Sequence, residues 1–328
     1  MPRSKISVAM ATCEGGRHLG EQLKSIAAQR RKPDELVICD DASGDDSVAI
    51  AEHFAERAPF LVRIETNANR LGATANFERA VSLCSGDVIL LADQDDIWLS
   101  EKIEMLEGAL GQDPTLGVVF SNGLVMNEQL SPLGYDLWQA LFFDAGEQGR
   151  VRAGRGTEVF ARHVVAAGTT LAFRARYRPL LLPFPDLPST HDAWVAFMIT
   201  AVSRCGLVDR PLIHYRLHAD NQIGLRRFGL LDQYRQARRQ LDDDAFGRAA
   251  TFFELARERL EAPSNPEWQA SNYVQSVIDA KIAHSRVRES MSDSTLRRLP
   301  DVVGEILRGR YWRYSYGVKS IAQDIFMR

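Results

Sequence analysis

The apolar positions of the first hundred residues alternate between two periods. Ile6 to Thr12 is a near-continuous apolar run, and after Gly15-Gly16 the residues Leu19, Leu23, Ile26 and Ala27 recur at helical spacing until Pro33 closes the segment. The pair then repeats: Leu36 to Cys39 is strand-like, and Val48, Ile50, Ala51, Phe54 and Ala55 are helix-like. Leu61 to Ile64 makes a third strand, Phe77, Ala80, Val81 and Cys84 mark another helix, and Val88 to Ala92 is a fourth strand. Four strand signals alternating with three helical ones predict an α/β fold with a parallel, doubly wound sheet.

Beyond that block, Ile103, Leu106 and Leu110 predict a helix, and Val118 to Phe120 and Thr169 to Phe173 predict strands. Leu124 to Arg155 has no clear period and reads as irregular structure or a hairpin. PLLLPFPDLP, with prolines at 179, 183, 185 and 188, reads as an ordered loop. Leu207-Val208 and Leu212 to Tyr215 read as two strands around Arg210-Pro211. From Arg226 onward the pattern is helical and amphipathic, with breaks expected around Pro263 and Pro266 and near Pro300.

Composition narrows the function classes. With 45% hydrophobic and 25% charged residues the chain is ordinary globular protein, and a net charge of −3 argues against a general nucleic-acid binder. The charge is uneven: residues 226–328 carry 18 basic and 14 acidic side chains, an asymmetry compatible with a surface that meets anionic lipid or a partner. Cys13, Cys39, Cys84 and Cys205 are scattered and read as reduced thiols of a cytoplasmic protein. The apolar stretch from Ile6 to Ala11 is too short for a secretory signal, and no apolar run is long enough to span a bilayer. Any membrane association is therefore expected to be peripheral, and the tail GRYWRYSYGVKSIAQDIFMR mixes aromatic and basic residues in a way that suits a membrane interface or a helix packed on its own domain.

The chemistry concentrates where the fourth strand ends, in DVILLADQDDIW from Asp87 to Trp98. Parallel sheets bind ligands beyond the carboxyl ends of their strands, and Asp93, Gln94, Asp95 and Asp96 sit at that end. If the extended geometry continues, Asp93 and Asp95 share a face with Gln94 opposite. Two carboxylates about 4 Å apart repel by roughly 4 kcal/mol at an effective dielectric of about 20, so a proton or a hard cation such as Mg²⁺ or Mn²⁺, shared with a phosphate, must offset them. The second acidic run, Asp242 to Asp244, lies in a polar helical stretch and reads as a solvated face. No G-x-G-x-x-G follows the first strand and no G-x-x-x-x-G-K-[ST] occurs, so phosphate must be held by metal and side chains. Further along, Thr190 is a candidate N-cap that would put Asp192 in the first turn of the helix Val195 to Val202. In HYRLHADNQIG, His214 and His218 would share a face if extended.

Taken together, ATCEGGRHLGEQLKSIAAQ, ELVICDDASGDDS, NRLGATANFERA and above all LLADQDDIWLSEKI resemble the inverting family 2 glycosyltransferases with the A-type fold. THDAW, HYRLHADNQIG and GRYWRYSYG extend the resemblance to the rhamnosyltransferase-like branch. The resemblance implies a nucleotide-sugar-binding fold with a mostly parallel central sheet flanked by helices. It implies a catalytic domain over residues 1–225, with a nucleotide-sugar-binding half at 1–122 and an acceptor-side half at 123–225, and a helical C-terminal region at 226–328.

Position by position, Ala11, Thr12 and Glu14 match the strand end that holds the nucleotide, and Asp41 the acid that hydrogen-bonds the base. Asp93 and Asp95 match the D-x-D pair, Asp95 as direct metal ligand and Asp93 nearer the ribose; His218 would complete the metal or diphosphate site. Gln94 and Lys102 are candidates for the nucleotide-sugar site, and Trp98, His191 and Trp194 for the acceptor or donor side. Asp192 matches the catalytic base. The family usually has Tyr-Asn where this chain has Cys13-Glu14, which puts an extra carboxylate near the nucleotide.

The expected reaction is therefore transfer of a sugar, foremost L-rhamnose from dTDP-L-rhamnose, to a lipid-linked glycan acceptor in bacterial surface polysaccharide synthesis. It is expected at the cytoplasmic face of the inner membrane, with Mg²⁺ or Mn²⁺ as cofactor. The alternatives are a UDP- or GDP-sugar as donor, a sugar-nucleotide pyrophosphorylase, whose Gly-rich basic loop ATCEGGRH matches poorly, and a non-catalytic sugar-nucleotide-binding scaffold.

Overall fold

A computed structural model describes residues 3–187, 191–218, 221, 244–261 and 265–327. Thr190, Asp242 and Asp243, and the start of the C-terminal helical stretch at Arg226, lie outside these. The chain divides into two compact units, Met1–Gly154 with Val165–Leu225, and Arg155–Val164 with Arg226–Arg328.

In the first unit the alternating pattern becomes β1 (Ile6–Thr12), α1 (Gly16–Ala27), β2 (Glu35–Asp40), α2 (Ser47–Ala55), β3 (Leu61–Thr66), α3 (Ala73–Leu83) and β4 (Val88–Ala92). β1 pairs in parallel with both β2 and β4, and β2 with β3. β1, β2 and β4 are buried along almost their whole length, which is why they read as unbroken apolar runs, whereas β3 at the edge alternates in exposure. Leu19, Leu23 and Ile26 of α1 pack onto Val8, Met10 and Leu90 in the main apolar core.

The rest of the sheet mixes directions. β5 (Ile97–Trp98), α4 (Lys102–Gln112), β6 (Leu116–Met126) and β7 (Pro132–Asp136) follow, then α5 (Leu137–Ala140), α6 (Ala145–Arg152), α7 (Gly156–Arg162), β8 (Leu171–Arg174), α8 (Arg178–Leu181), α9 (His191–Val202) and β9 (Arg204–Arg216). The order is β3-β2-β1-β4-β8-β6-β9-β5, with β7 on β6; β8 runs antiparallel between β4 and β6, and β9 runs parallel to β6. The aperiodic stretch after Leu124 is in part a hairpin, β6 with β7.

Two local expectations are corrected here. Leu207-Val208 and Leu212 to Tyr215 belong to one strand, β9, which carries Arg210-Pro211 past β6 through shifts of register between Ser121 and Leu124. The proline-rich segment opens with a helical turn, α8, because Pro179 sits in its first turn, where a missing N–H has no intrahelical partner to lose.

The second unit contains α7, α10 (Ala245–Glu261), α11 (Asn272–Glu289), α12 (Thr295–Leu307), α13 (Arg310–Tyr314) and α14 (Val318–Phe326). Arg155–Val164, expected in the first domain, groups here because α7 buries Val159, Phe160 and Ala161 and is tied by Arg162 Nε to the Ser315 carbonyl at 2.9 Å. Pro300 does not break the chain but lies inside α12. Among the described residues no helix is long and apolar enough to cross a membrane.

Candidate active site

The acidic turn after β4 is not extended. Asp93 to Asp96 form a tight bend, with the Asp93 carbonyl accepting from Gln22 Nε2 of α1 at 3.0 Å and the Trp98 amide donating to Ser25 Oγ at 3.0 Å. The bend turns Gln94 toward β1, where its amide brackets Cys13: Cys13 N donates to Gln94 Oε1 at 2.8 Å and Gln94 Nε2 donates to the Cys13 carbonyl at 3.0 Å. Gln94 is thus a tie between β1 and β4 with its amide already engaged, which corrects its expected place as a nucleotide ligand. Gly15 makes room for it, since a Cβ there would lie 2.2 Å from Gln94 Oε1.

The bend gathers charge. Asp96 is fully buried, and burial together with the Asp95 charge raises its pKa. Asp93 is raised well above the ordinary carboxylate range by burial first, then by the charges of Asp96, Asp95 and Asp192. That last cause matters, because Asp192 is distant in sequence and arrives in the first turn of α9. Gly168 gives the turn space: a Cβ there would stand 3.3 Å from Asp192 Cβ and 3.2 Å from His191 Nε2. Tyr215 of β9 feels the same four carboxylates, and burial, the largest cause, pushes its phenol well up.

Asp95 and His218 meet directly, with Oδ2 and Nε2 2.8 Å apart and side chains 16% and 7% exposed. Asn221 Nδ2 lies 3.3 Å from the same Asp95 oxygen and 3.1 Å from His218 Nε2. Arg216 anchors the arrangement from below: its Nε donates to the Asp95 carbonyl at 2.9 Å, another guanidinium nitrogen to the Glu128 carbonyl at 3.1 Å, and its third to Glu21 of α1. His214 remains half-buried in register with Ile97.

Asp95 and His218 are engaged with each other and with Asn221, and among the described residues no group of three or more His, Cys, Asp or Glu could hold a metal ion. A divalent ion at Asp95 and His218 would have to replace their mutual hydrogen bond and draw most of its ligands from phosphate oxygens and water.

Lys102 and two tryptophans do not reach the site's open face, a correction to their expected roles. Lys102 is fully buried, its ammonium 3.4 Å from the Trp98 ring centroid and bonded to the Thr169 carbonyl, where Asp96 and Asp93 face it. Trp98 is 3% exposed beneath it, and Trp194 is fully buried with Nε1 donating to the Leu181 carbonyl at 2.9 Å. Both rings are core. His191 is nearer the surface and stacks on Phe77 at 4.1 Å.

At the end of β1 and β2, Thr12 is buried and Ala11 half-buried. Asp41 carries three hydrogen bonds, from Asn67 Nδ2 at 2.8 Å, Leu71 N at 2.7 Å and Gly72 N at 2.8 Å, which bind the loop before α3 and leave one of a carboxylate's roughly four acceptor sites. Glu14 accepts from Gly44 N at 3.0 Å and pairs with Arg70, so its carboxylate has a cation beside it. Arg70, Asn67, Gly168, Tyr215 and Arg216 were not singled out in the sequence. Arg216 alone had a signal there, as the cation directly after an apolar strand end in HYRLH.

Residues 7–144 match the family described as Glycosyl transferase family 2. A dTDP-rhamnosyl transferase, RfbG of Shigella flexneri, is 27% identical over 230 residues, covering 66% of this chain and 73% of that protein. Two solved structures share the fold. They are S. aureus TarS 1–349 in complex with UDP-GlcNAc, with TM-score 0.57, 15% identity and coverage of 98% of this chain and 81% of that one, and the Pyrobaculum calidifontis mannosyltransferase PcManGT in complex with GDP-Man and Mn²⁺, with TM-score 0.52, 16% identity and coverage of 99% and 84%.

Proposed function

We propose, from the premise that this chain carries a glycosyl transferase family 2 domain, that it is a metal-dependent inverting enzyme. It would move L-rhamnose from dTDP-L-rhamnose to a hydroxyl of a lipid-linked glycan acceptor in surface polysaccharide synthesis at the cytoplasmic face of the membrane. The observation that carries the reading is the convergence of Asp192 from α9 with the Asp93–Asp96 bend, where Asp192 bears on the titration of Asp93. A base and an anion-handling site have to be neighbours for a single displacement at an anomeric carbon.

Asp192 takes the proton of the acceptor hydroxyl as its oxygen attacks the anomeric carbon. The bond to the diphosphate breaks on the opposite face, its electron pair leaving with the diphosphate, so the configuration inverts. When bound at Asp95 and His218, Mg²⁺ or Mn²⁺ supplies positive charge toward the departing diphosphate. Arg216 holds Asp95 by its carbonyl, and Asp41, Thr12 and Ala11 border the nucleotide side. The donor assignment leans on the rhamnosyl transferase likeness. A UDP- or GDP-sugar is the alternative, favoured by the ligands in two of the solved structures that share the fold.

Calorimetric titration with dTDP, UDP and GDP, each with and without Mn²⁺ or Mg²⁺, tests this reading. One nucleotide binding only with metal is expected, dTDP first. Absence of binding for all three would remove the transferase reading, and binding without transfer or slow donor hydrolysis would favour a scaffold.

A further inference from the structure

The C-terminal unit is built partly inside out. In a water-facing domain an amphipathic helix turns its leucines inward and its charges outward. In α12 Arg298 and Glu305 are each 1% exposed, whereas Leu296 and Leu307 are each 81% exposed. Leu299 and Val303 lie on the same outward face, completing a stripe at spacings of three and four residues.

Both inward charges have hydrogen-bond partners. Arg298 donates to the Asp293 carbonyl at 2.7 Å and the Ile325 carbonyl at 2.9 Å, and Glu305 accepts from Arg310 at 3.0 Å and faces His284 Nδ1 at 2.6 Å. The polarity of the helix is therefore set by the partners it has on the inside, and the outer stripe is left apolar.

We infer that this outer face of α12 seats in the interfacial layer of a membrane containing anionic lipid. Charge complementarity selects that occupant. Arg297, Arg308 and Arg313 are exposed, Arg308 3.8 Å from the buried carboxylate of Glu305, against two exposed acids, Asp293 and Asp301, while Glu305 and Asp324 are buried, so the outward-facing charge of this segment is basic by one. Trp312, in the following helix α13, is exposed as well, the amphipathic ring type enriched at headgroup depth. Apolar stripe, basic rim and interfacial aromatic are the parts of a helix lying in the membrane plane. The surface itself follows from the C-terminal unit alone; only its use, delivery of a lipid-linked acceptor, rests on the proposed function.

The test is cosedimentation of the full chain with vesicles of phosphatidylglycerol and phosphatidylethanolamine, compared with phosphatidylcholine alone. The Leu296→Ser, Leu307→Ser double variant, altered at highly exposed positions, is expected to bind the anionic vesicles at least about tenfold more weakly. An Arg308→Ala, Arg313→Ala variant should lose most of its preference for anionic over neutral vesicles. Circular dichroism and thermal melting confirm that the variants fold, and their metal-dependent nucleotide binding should match the parent, so failure of the surface is separable from failure of the transferase reading. Absence of vesicle binding by the parent, or unchanged binding by the leucine variant, overturns the inference. So does sedimentation velocity showing a dimer that the leucine variant abolishes, which would assign the stripe to a second copy of the chain.

Discussion

Single residues carry the sharpest expectations. Asp192→Asn keeps the shape of the α9 turn while removing the basic oxygen, so metal-dependent nucleotide affinity should persist while turnover falls by at least about 100-fold, the usual contribution of a general base. Near-normal turnover would exclude Asp192 from the reaction. Asp95→Ala acts on the other half of the site: calorimetry should show the metal dependence of nucleotide binding lost, and an unchanged metal effect would mean the ion sits elsewhere. Lys102→Met belongs to a different class. It removes the cation facing buried Asp93 and Asp96 and should cost about 3 kcal/mol or more, read as a lower denaturation midpoint. Unchanged stability would mean that the two acids find compensation elsewhere. The places of Asp93, Asp95 and Asp192 at a strand end and in a first helical turn could be read from the order of residues, because acids there stand out against apolar neighbours. Lys102 and Trp98 were misread, because a lysine and a tryptophan beside an acidic motif look the same in one dimension whether they face ligand or core.

At the scale of elements, two glycines show how the strand ends are brought together. Gly86 precedes β4, and a Cβ there would fall 2.7 Å from the Lys5 carbonyl oxygen and 2.8 Å from the Ser7 nitrogen. Backbone cannot step aside, so Gly86→Ala should destabilise by at least about 2 kcal/mol in chemical denaturation. At Gly15 the obstacle is the movable amide of Gln94. Gly15→Ala should cost only about 1 to 2 kcal/mol, mainly the two hydrogen bonds to Cys13, while loosening nucleotide binding. If the two variants rank the other way, the Gln94 tie is stronger than its hydrogen bonds suggest. The elements themselves were largely readable from period, but their ends were not. The bend at Asp93 to Asp96 is imposed by Gln22, Ser25 and Arg216 from other elements, and β9 runs through Arg210-Pro211 because β6 shifts register to accommodate it.

For the whole molecule, the buried polar core of the C-terminal unit predicts a pH dependence. Lys281 donates to the Tyr314 carbonyl at 2.9 Å, and burial, aided by the Arg288 charge, lowers its pKa from 10.5 to about 7. The unfolded chain keeps that proton up to its ordinary pKa, so from about pH 7 toward 10.5 the unfolded state binds more protons and stability rises with pH. Each pH unit crossed in that window contributes at most about 1.4 kcal/mol. His284, lowered to about 2, acts below its ordinary 6.5 and outside the window. The midpoint of thermal unfolding should therefore rise more, or fall less, between pH 7 and pH 9 in the parent than in Lys281→Met, since raised groups such as Asp93 act in the opposite sense in both. Equal slopes in parent and variant would show that Lys281 keeps its proton in the folded state.

What the amino-acid order determined alone was local. It set the alternation of strands and helices, the apolar faces of α1, α3 and α4, and the acids placed at the ends of β2 and β4, all readable within a few residues because periodicity and strand termini are short-range properties. Tertiary structure decided everything that depends on who stands opposite. It brought Asp192 and His218 to the acids of β4, committed Gln94, Asp41 and Glu14 to loop and strand partners, sent Lys102 inward, and grouped Arg155–Val164 with the C-terminal helices. It also reversed the sense of α12, since a helix buries whichever face its neighbours can satisfy, and here the available partners were carbonyls, a histidine and an arginine.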